Sequence, residues 1–172
     1  MRLIVNVTPL LSPLTGIGHY TNELLVKLLQ SEAVEDVRGV SPLRWYDQSQ
    51  LGELLQCSGE QVTPAMQVKS RAASSRALID LVKKLPYART AREFIQQQTV
   101  RRQGANFSDY LYWEPNYTLL PLSNPAVSTV HDLSHIHYPQ YHPKERIKLL
   151  NKRLSKSLLR ANRLIAVSEY TR

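Results

Sequence analysis

Short β-branched apolar runs alternate along this chain with stretches of helical spacing, and that alternation constrains the fold more than any other feature. Leu3 to Val7 make an apolar run of the kind a strand buried on both faces requires. Pro9 and Pro13 then break the chain, Gly16 and Gly18 mark a loop, and Leu24, Leu25, Leu28 and Leu29 follow helical spacing from about Gly18 to Gln30. Val37–Val40, Tyr110–Trp113, Val127–Val130 and Leu164–Val167 read as further strands. Among the connections, Asp47–Gln56 is a weak helix candidate and Ser58–Pro64 is loop-like. Arg71–Gln103 reads as two helices or one kinked at Pro86, with Ile79, Val82 and Leu85 as its apolar stripe. Pro143 suits the first turn of a last long helix, whose apolar face is Ile147, Leu150, Leu154, Leu158 and Ala161. Ser168 is placed to cap one more helix from Glu169. The expected fold is α/β: a parallel sheet with helices on both faces, whose ligands bind at the carboxyl ends of the strands.

A length of 172 residues suits one domain, and 42% apolar content spread in periodic blocks excludes a disordered tail. No apolar stretch approaches the roughly 18–20 residues of a membrane span, and the opening run is too short for a signal-peptide core. The lone Cys57 makes neither an internal disulfide nor a cysteine metal site and is most simply a partly buried apolar residue, so a reducing cytoplasm is the default. Charge is concentrated. Lys69–Arg102 and Lys144–Arg172 each carry +7, while the remainder carries −6. Such patches attract nucleic acid, anionic lipid or phosphorylated ligands, or are simply solvated helix faces. No nucleic-acid reader motif is present, and cations interleaved with leucines suit an anionic surface better than base stacking.

Three places carry residues that can do chemistry. Thr15-Gly16-Ile17-Gly18-His19-Tyr20 joins a strand to a helix, where glycines admit close approach and a helix N-terminus favours phosphate. Thr21 stands where the dinucleotide fingerprint needs a third glycine, which argues against NAD. A tight turn of positive φ is the structural alternative for these glycines. His131 and Asp132 follow a β-branched run, so an imidazole able to bind a sugar hydroxyl or hold a proton sits at a strand end. Asp132 either orients it or satisfies loop amides. His131, His135 and His137 make a poor metal set, because Pro139 and the preceding strand argue for loop and no cysteine assists. A serine nucleophile lacks its Gly-x-Ser-x-Gly elbow.

Taken together, Pro13-Leu-Thr-Gly-Ile-Gly-His-Tyr-Thr21, Glu114-Pro-Asn-Tyr117, Val130-His-Asp-Leu-Ser134, Tyr138-Pro-Gln-Tyr-His-Pro143 and Ala166-Val-Ser-Glu-Tyr-Thr-Arg172 resemble, in order, the N-terminal half of the retaining glycosyltransferases of family four. Only about residues 41–105 offer nothing distinctive. Within that family the chain is most similar to the mannosyltransferase-like and rhamnosyltransferase-like enzymes of bacterial surface polysaccharide assembly. The resemblance implies two Rossmann-like domains across a cleft, with residues 1–172 the acceptor-binding one and the C-terminal nucleotide-sugar domain absent from this chain. It implies that Gly16 and Gly18 approach the donor diphosphate, that His131 contacts the transferred sugar with Asp132 beside it, and that His19, Tyr20, Asn116 and Tyr117 line the acceptor side. GDP-mannose is the first expectation for the donor, ahead of GDP-rhamnose or a UDP-sugar, with no metal cofactor. The acceptor is expected to be a lipid-linked or polysaccharide glycan, and the location cytoplasmic and peripheral at an anionic inner membrane. The rival expectation is a non-catalytic binding or membrane-docking module of the same fold.

Overall fold

The computed structural model describes residues 1–59 and 88–172, with side chains described for 1–56 and 94–172. Six strands form one sheet: β1 (Arg2–Asn6), β2 (Asp36–Val40), β3 (Trp45–Tyr46), β4 (Leu111–Glu114), β5 (Ala126–Val130) and β6 (Arg163–Ala166). Their spatial order is β3-β2-β1-β4-β5-β6, with every pairing parallel except that of β2 with β3. The helices are α1 (Gly16–Leu29), α2 (Gln48–Gly59), α3 (Ala88–Gly104), the single turn α4 (Ser134–His137) and α5 (Lys144–Arg160). This is a Rossmann-like α/β arrangement, as the alternation of elements requires.

Strand alternation decides which side chains meet which helices. Leu3, Val5, Val37 and Trp113 point to one face, where Leu25 of α1 and Leu51 of α2 pack on them. Ile4, Val40, Tyr112 and Ala126 point to the other, against Val100 of α3 and Leu122. A third cluster joins Tyr117 and Val130 to Leu150 and Leu154 of α5. Fully burying a leucine such as Leu25 contributes about 1.5–3 kcal/mol, so α1 is held chiefly by its packed face. The long runs are buried on both sides because helices cover both faces, which is why β1 shows no polar alternation.

Several expectations need correction. α1 begins at Gly16 rather than about Gly18, and no described glycine has positive φ. The glycine loop is therefore the first helical turn, not a tight left-handed turn. The two-residue strand β3 was not expected. Two residues carry no period, and only the Ser41–Arg44 turn, closed by Ser41 N donating to Arg44 O at 2.9 Å, brings them back to β2. His135 and His137 lie on helix α4 where a loop was expected. α2 continues through Ser58 and Gly59 into the segment expected to be loop. Beyond Ser168 there is a turn rather than a helix, although Ser168 Oγ does accept Thr171 N–H at 3.2 Å, as a cap would. The stripe of Ile79, Val82 and Leu85, the kink at Pro86 and most of the Lys69–Arg102 patch lie outside the described residues, as does the Cys57 side chain.

Candidate functional site

β1, β4 and β5 lie side by side and parallel, so Asn6, Glu114 and Val130 end on one edge of the sheet. Glu114 is fully buried there. Its Oε2 accepts Asn6 Nδ2–H at 2.8 Å and the Tyr112 hydroxyl, and its Oε1 accepts Asn116 N–H at 3.0 Å. The ties extend outward. Asn6 Oδ1 accepts Thr8 N–H at 3.0 Å and the Thr8 hydroxyl at 2.6 Å, and the Tyr112 hydroxyl accepts Leu120 N–H at 3.2 Å. One carboxyl group thus joins the β1–α1 loop to the start of the β4–β5 loop at Asn116 and, through Tyr112, to its middle at Leu120. Burial pushes its pKa up to about 7, against the hydrogen bonds that favour the anion. The same burial and the adjacent carboxylate hold the Tyr112 phenol well above its ordinary value.

In the sequence Glu114 stands only within the Glu114–Tyr117 motif, with no expected role of its own. The usable signal was an acidic residue ending an apolar strand directly before Pro115, a place where alternation points it inward.

His131 is anchored on the same edge. Its Nε2 lies 2.7 Å from Pro115 O, and because a carbonyl only accepts, that nitrogen carries a proton. In the neutral ring Nδ1 is then an acceptor. The ring stands edge-on to Tyr20 at 5.0 Å and to Tyr117 at 5.9 Å, centroid to centroid. Tyr20, from the second turn of α1, also meets Trp113, so helix and imidazole are held together by aromatic edges.

Asp132 does not bond His131. Its Oδ1 accepts Ser134 N–H at 2.9 Å and the Ser134 hydroxyl at 2.6 Å, an Asx turn just ahead of the short α4. Those bonds hold its pKa below the ordinary carboxylate value despite the opposing effect of partial burial. Ser134 Oγ also lies 2.8 Å from His142 Nε2. With its single proton given to Asp132, the hydroxyl must accept from His142, which is the reverse of an activated serine nucleophile.

Tyr117, expected on the acceptor side, is 2% exposed and adopts φ 58°, the left-handed region. Three bonds hold it there: Tyr117 N–H to Thr129 O at 3.1 Å, Ser128 Oγ–H to Tyr117 O at 3.1 Å, and Asp132 N–H to the Tyr117 hydroxyl at 3.1 Å. It supports the His131–Asp132 loop from beneath. Burial pushes the phenol up to about 12, so it stays protonated. Asn116 and His19 are exposed and Tyr20 is half-buried.

The two glycines differ. A Cβ at Gly18 would lie 2.9 Å from Leu14 Cδ2 and 3.0 Å from Pro9 O, so its smallness lets the helix seat on the loop. A Cβ at Gly16 would meet nothing. Gly16, Ile17 and Gly18 are the first helical residues, and His19 N–H is the first to find a helix-type acceptor, Thr15 O at 2.9 Å. Thr15 makes no side-chain cap, which leaves that helix end open to an anion.

His135 is 4% exposed and packs edge-on to Tyr117, and burial is the main cause of its lowered pKa. Among the described residues no group of three or more His, Cys, Asp or Glu is placed to hold a metal ion. None of the described helices is long and apolar enough to cross a membrane.

The chain is similar to the O-antigen chain mannosyltransferase B of Escherichia coli, with 28% identity over 174 residues. That likeness takes in all of this chain but 42% of the relative, so the chain spans less than half the relative's length. No family model matches the chain, and no solved structure matches it.

Proposed function

We propose that this chain is the acceptor-holding, N-terminal Rossmann-like domain of a retaining glycosyltransferase that moves a hexose, mannose foremost, from GDP-mannose to a lipid-linked or polysaccharide acceptor. The likeness to an O-antigen chain mannosyltransferase across the whole chain supports a glycosyltransferase. The observation that carries the reading is His131, fixed through Nε2 to Pro115 O and packed on Tyr20 beside the opening turn of α1. An acceptor nitrogen and an open helix N-terminus then share one strand-end edge.

In this reading the α1 N–H groups face the donor diphosphate and favour the negative charge that grows on it as the sugar departs. His131 Nδ1 accepts a hydroxyl of the transferred sugar and orients the ring. Asp132 and Tyr117 act by positioning His131, and His19, Tyr20 and Asn116 border the acceptor. A second domain outside these residues contributes most nucleotide-sugar contacts, so the 172-residue chain by itself is expected to be inert. As the family resemblance implies, the reaction is expected to run without a metal, with the α1 N–H groups taking part of the leaving-group charge.

The test is turnover of GDP-mannose by the longer polypeptide, with product configuration read by NMR. His131→Ala is expected to lower kcat by about tenfold or more at a temperature where the variant is still fully folded. Wild-type turnover in that variant would remove His131 from the site.

One observation favours membrane contact as a second role. Ile136, Tyr138 and Tyr141 are exposed just before the cationic helix α5, a combination suited to an anionic bilayer surface. The same surface would serve a non-catalytic docking module.

A further inference from the structure

A cavity of about 570 Å³ opens between α3, α5 and the β4–β5 loop, beside the strand-end edge but not lined by His131 or the α1 glycines. Its walls differ in chemistry. Arg153, Lys156 and Arg160, spaced three and four apart on one stripe of α5, supply cations. Gln96 and Gln97 of α3 face them, with Asn116 at the mouth and the buried Glu114 network as the floor.

Arg160 is held on neutral acceptors. Arg160 donates to the carbonyls of Leu120 and Leu122, the former at 2.8 Å, and no carboxylate lies within ion-pair range of it among the described residues. Partial burial of its guanidinium lowers its pKa. Glu114 and Tyr112, beneath the loop, raise that pKa in turn but only in part, and neither makes a direct bond to the guanidinium. A guanidinium keeps further N–H donors after two such bonds, and Lys156 stands four residues away on the same stripe. An incoming phosphate would neutralise this corner with charge-assisted hydrogen bonds. The amides opposite are suited to hydroxyl groups, which both donate and accept.

We infer that this cavity binds the phosphate-bearing end of a sugar ligand, phosphate on Lys156 and Arg160 and ring hydroxyls on Asn116, Gln96 and Gln97. The inference rests on the glycosyltransferase reading only in supplying a purpose: the site would hold a phosphate-linked acceptor at a distance from the donor. The phosphate belongs either to a lipid-linked glycan or to a soluble sugar phosphate.

The test is amide NMR of the 172-residue protein titrated separately with mannose 1-phosphate, mannose, inorganic phosphate and GDP-mannose. Mannose 1-phosphate is expected to shift Asn116, Lys156 and Arg160 and to bind about tenfold more tightly than mannose or phosphate alone. Lys156→Glu, at an exposed position that leaves the Arg160 anchors intact, is expected to weaken it about tenfold. Equal binding of phosphate and mannose 1-phosphate, or no effect of Lys156→Glu, overturns the inference. Shifts at Gly16 and His131 with GDP-mannose, but none in the cavity with mannose 1-phosphate, overturn it while leaving the proposed function intact. The opposite pattern supports the cavity, and the donor reading is then tested by turnover in the longer polypeptide. Phosphatidic acid vesicles that displace mannose 1-phosphate identify the lipid-borne source, and failure to displace it identifies the soluble one.

Discussion

The Glu114 carboxyl group accepts the Asn6 side-chain amide at 2.8 Å across the carboxyl ends of β4 and β1. Backbone pairing aligns the two strands only as far as Val5 with Trp113, so this side-chain bond carries their register to the loops that follow. His131 depends on the same piece of chain, because its anchor, Pro115 O, is the next residue along.

Stability should therefore depend on the charge of Glu114. Its folded pKa, about 7, lies above the ordinary carboxyl value, so between those two values the folded state binds more protons than the unfolded state. Its contribution is present at acid pH and is lost as pH rises through about 7. His135 acts in the opposite sense: its lowered folded pKa costs stability as pH falls below the ordinary imidazole value. Urea unfolding of wild type and Glu114→Gln from about pH 5 to about pH 8 isolates the first effect. The wild type is expected to lose up to about 3 kcal/mol more than the variant over that range. Parallel pH profiles would show that Glu114 does not titrate there.

The two glycines of α1 separate fold from function. Gly18→Ala is expected to destabilise the protein by about 1–2 kcal/mol, since the added methyl presses on Leu14 and on the Pro9 carbonyl. Gly16→Ala adds helix propensity in open space and should raise stability by about 0.5 kcal/mol. If the donor diphosphate approaches that turn, Gly16→Ala should nevertheless raise the KM for GDP-mannose in the longer enzyme. Unchanged KM places the diphosphate elsewhere.

Tyr117→Phe removes the acceptor of Asp132 N–H while keeping the ring that packs on His131 and His135. The expected cost is about 1 kcal/mol in stability, with a fall in kcat larger than any change in KM. Thermal melts and steady-state kinetics on the same variant check both, and a loss confined to stability makes Tyr117 a packing residue only.

Binding to vesicles is the check on the membrane surface. The protein should associate with anionic vesicles and not with neutral ones, and high salt should release it. Tyr138→Ser with Tyr141→Ser should weaken association by about tenfold if the exposed aromatics insert. Salt-independent binding would rule out an electrostatic surface.

Much of the fold is legible in the sequence. Leu3–Val5 and Val127–Val130 are β-branched runs too short for helices, Leu150 and Leu154 repeat at helical spacing, and Pro143 opens the helix that carries them. These signals are local, so a one-dimensional reading captures them to within a residue or two. β3 escaped because its two residues exist as a strand only through pairing with Gly39 and Val40. α4 escaped because four residues carry no period and Pro139 with the preceding strand pointed to a loop.

The amino-acid sequence by itself determined the α/β class, the order of elements and the presence of His131 at a strand end, since each follows from periodicity and chain breakers within a few residues. Only the tertiary structure decided what the polar groups do. It buried Tyr117, expected to line the acceptor side, beneath the His131–Asp132 loop, turned Asp132 toward Ser134, and gathered Asn6, Tyr112 and Asn116 around Glu114. Asn6 and Glu114 are 108 residues apart in the chain. Their partnership follows from the parallel pairing of β1 with β4, and burial in that pairing, rather than any feature of neighbouring residues, raises the pKa of the carboxyl group.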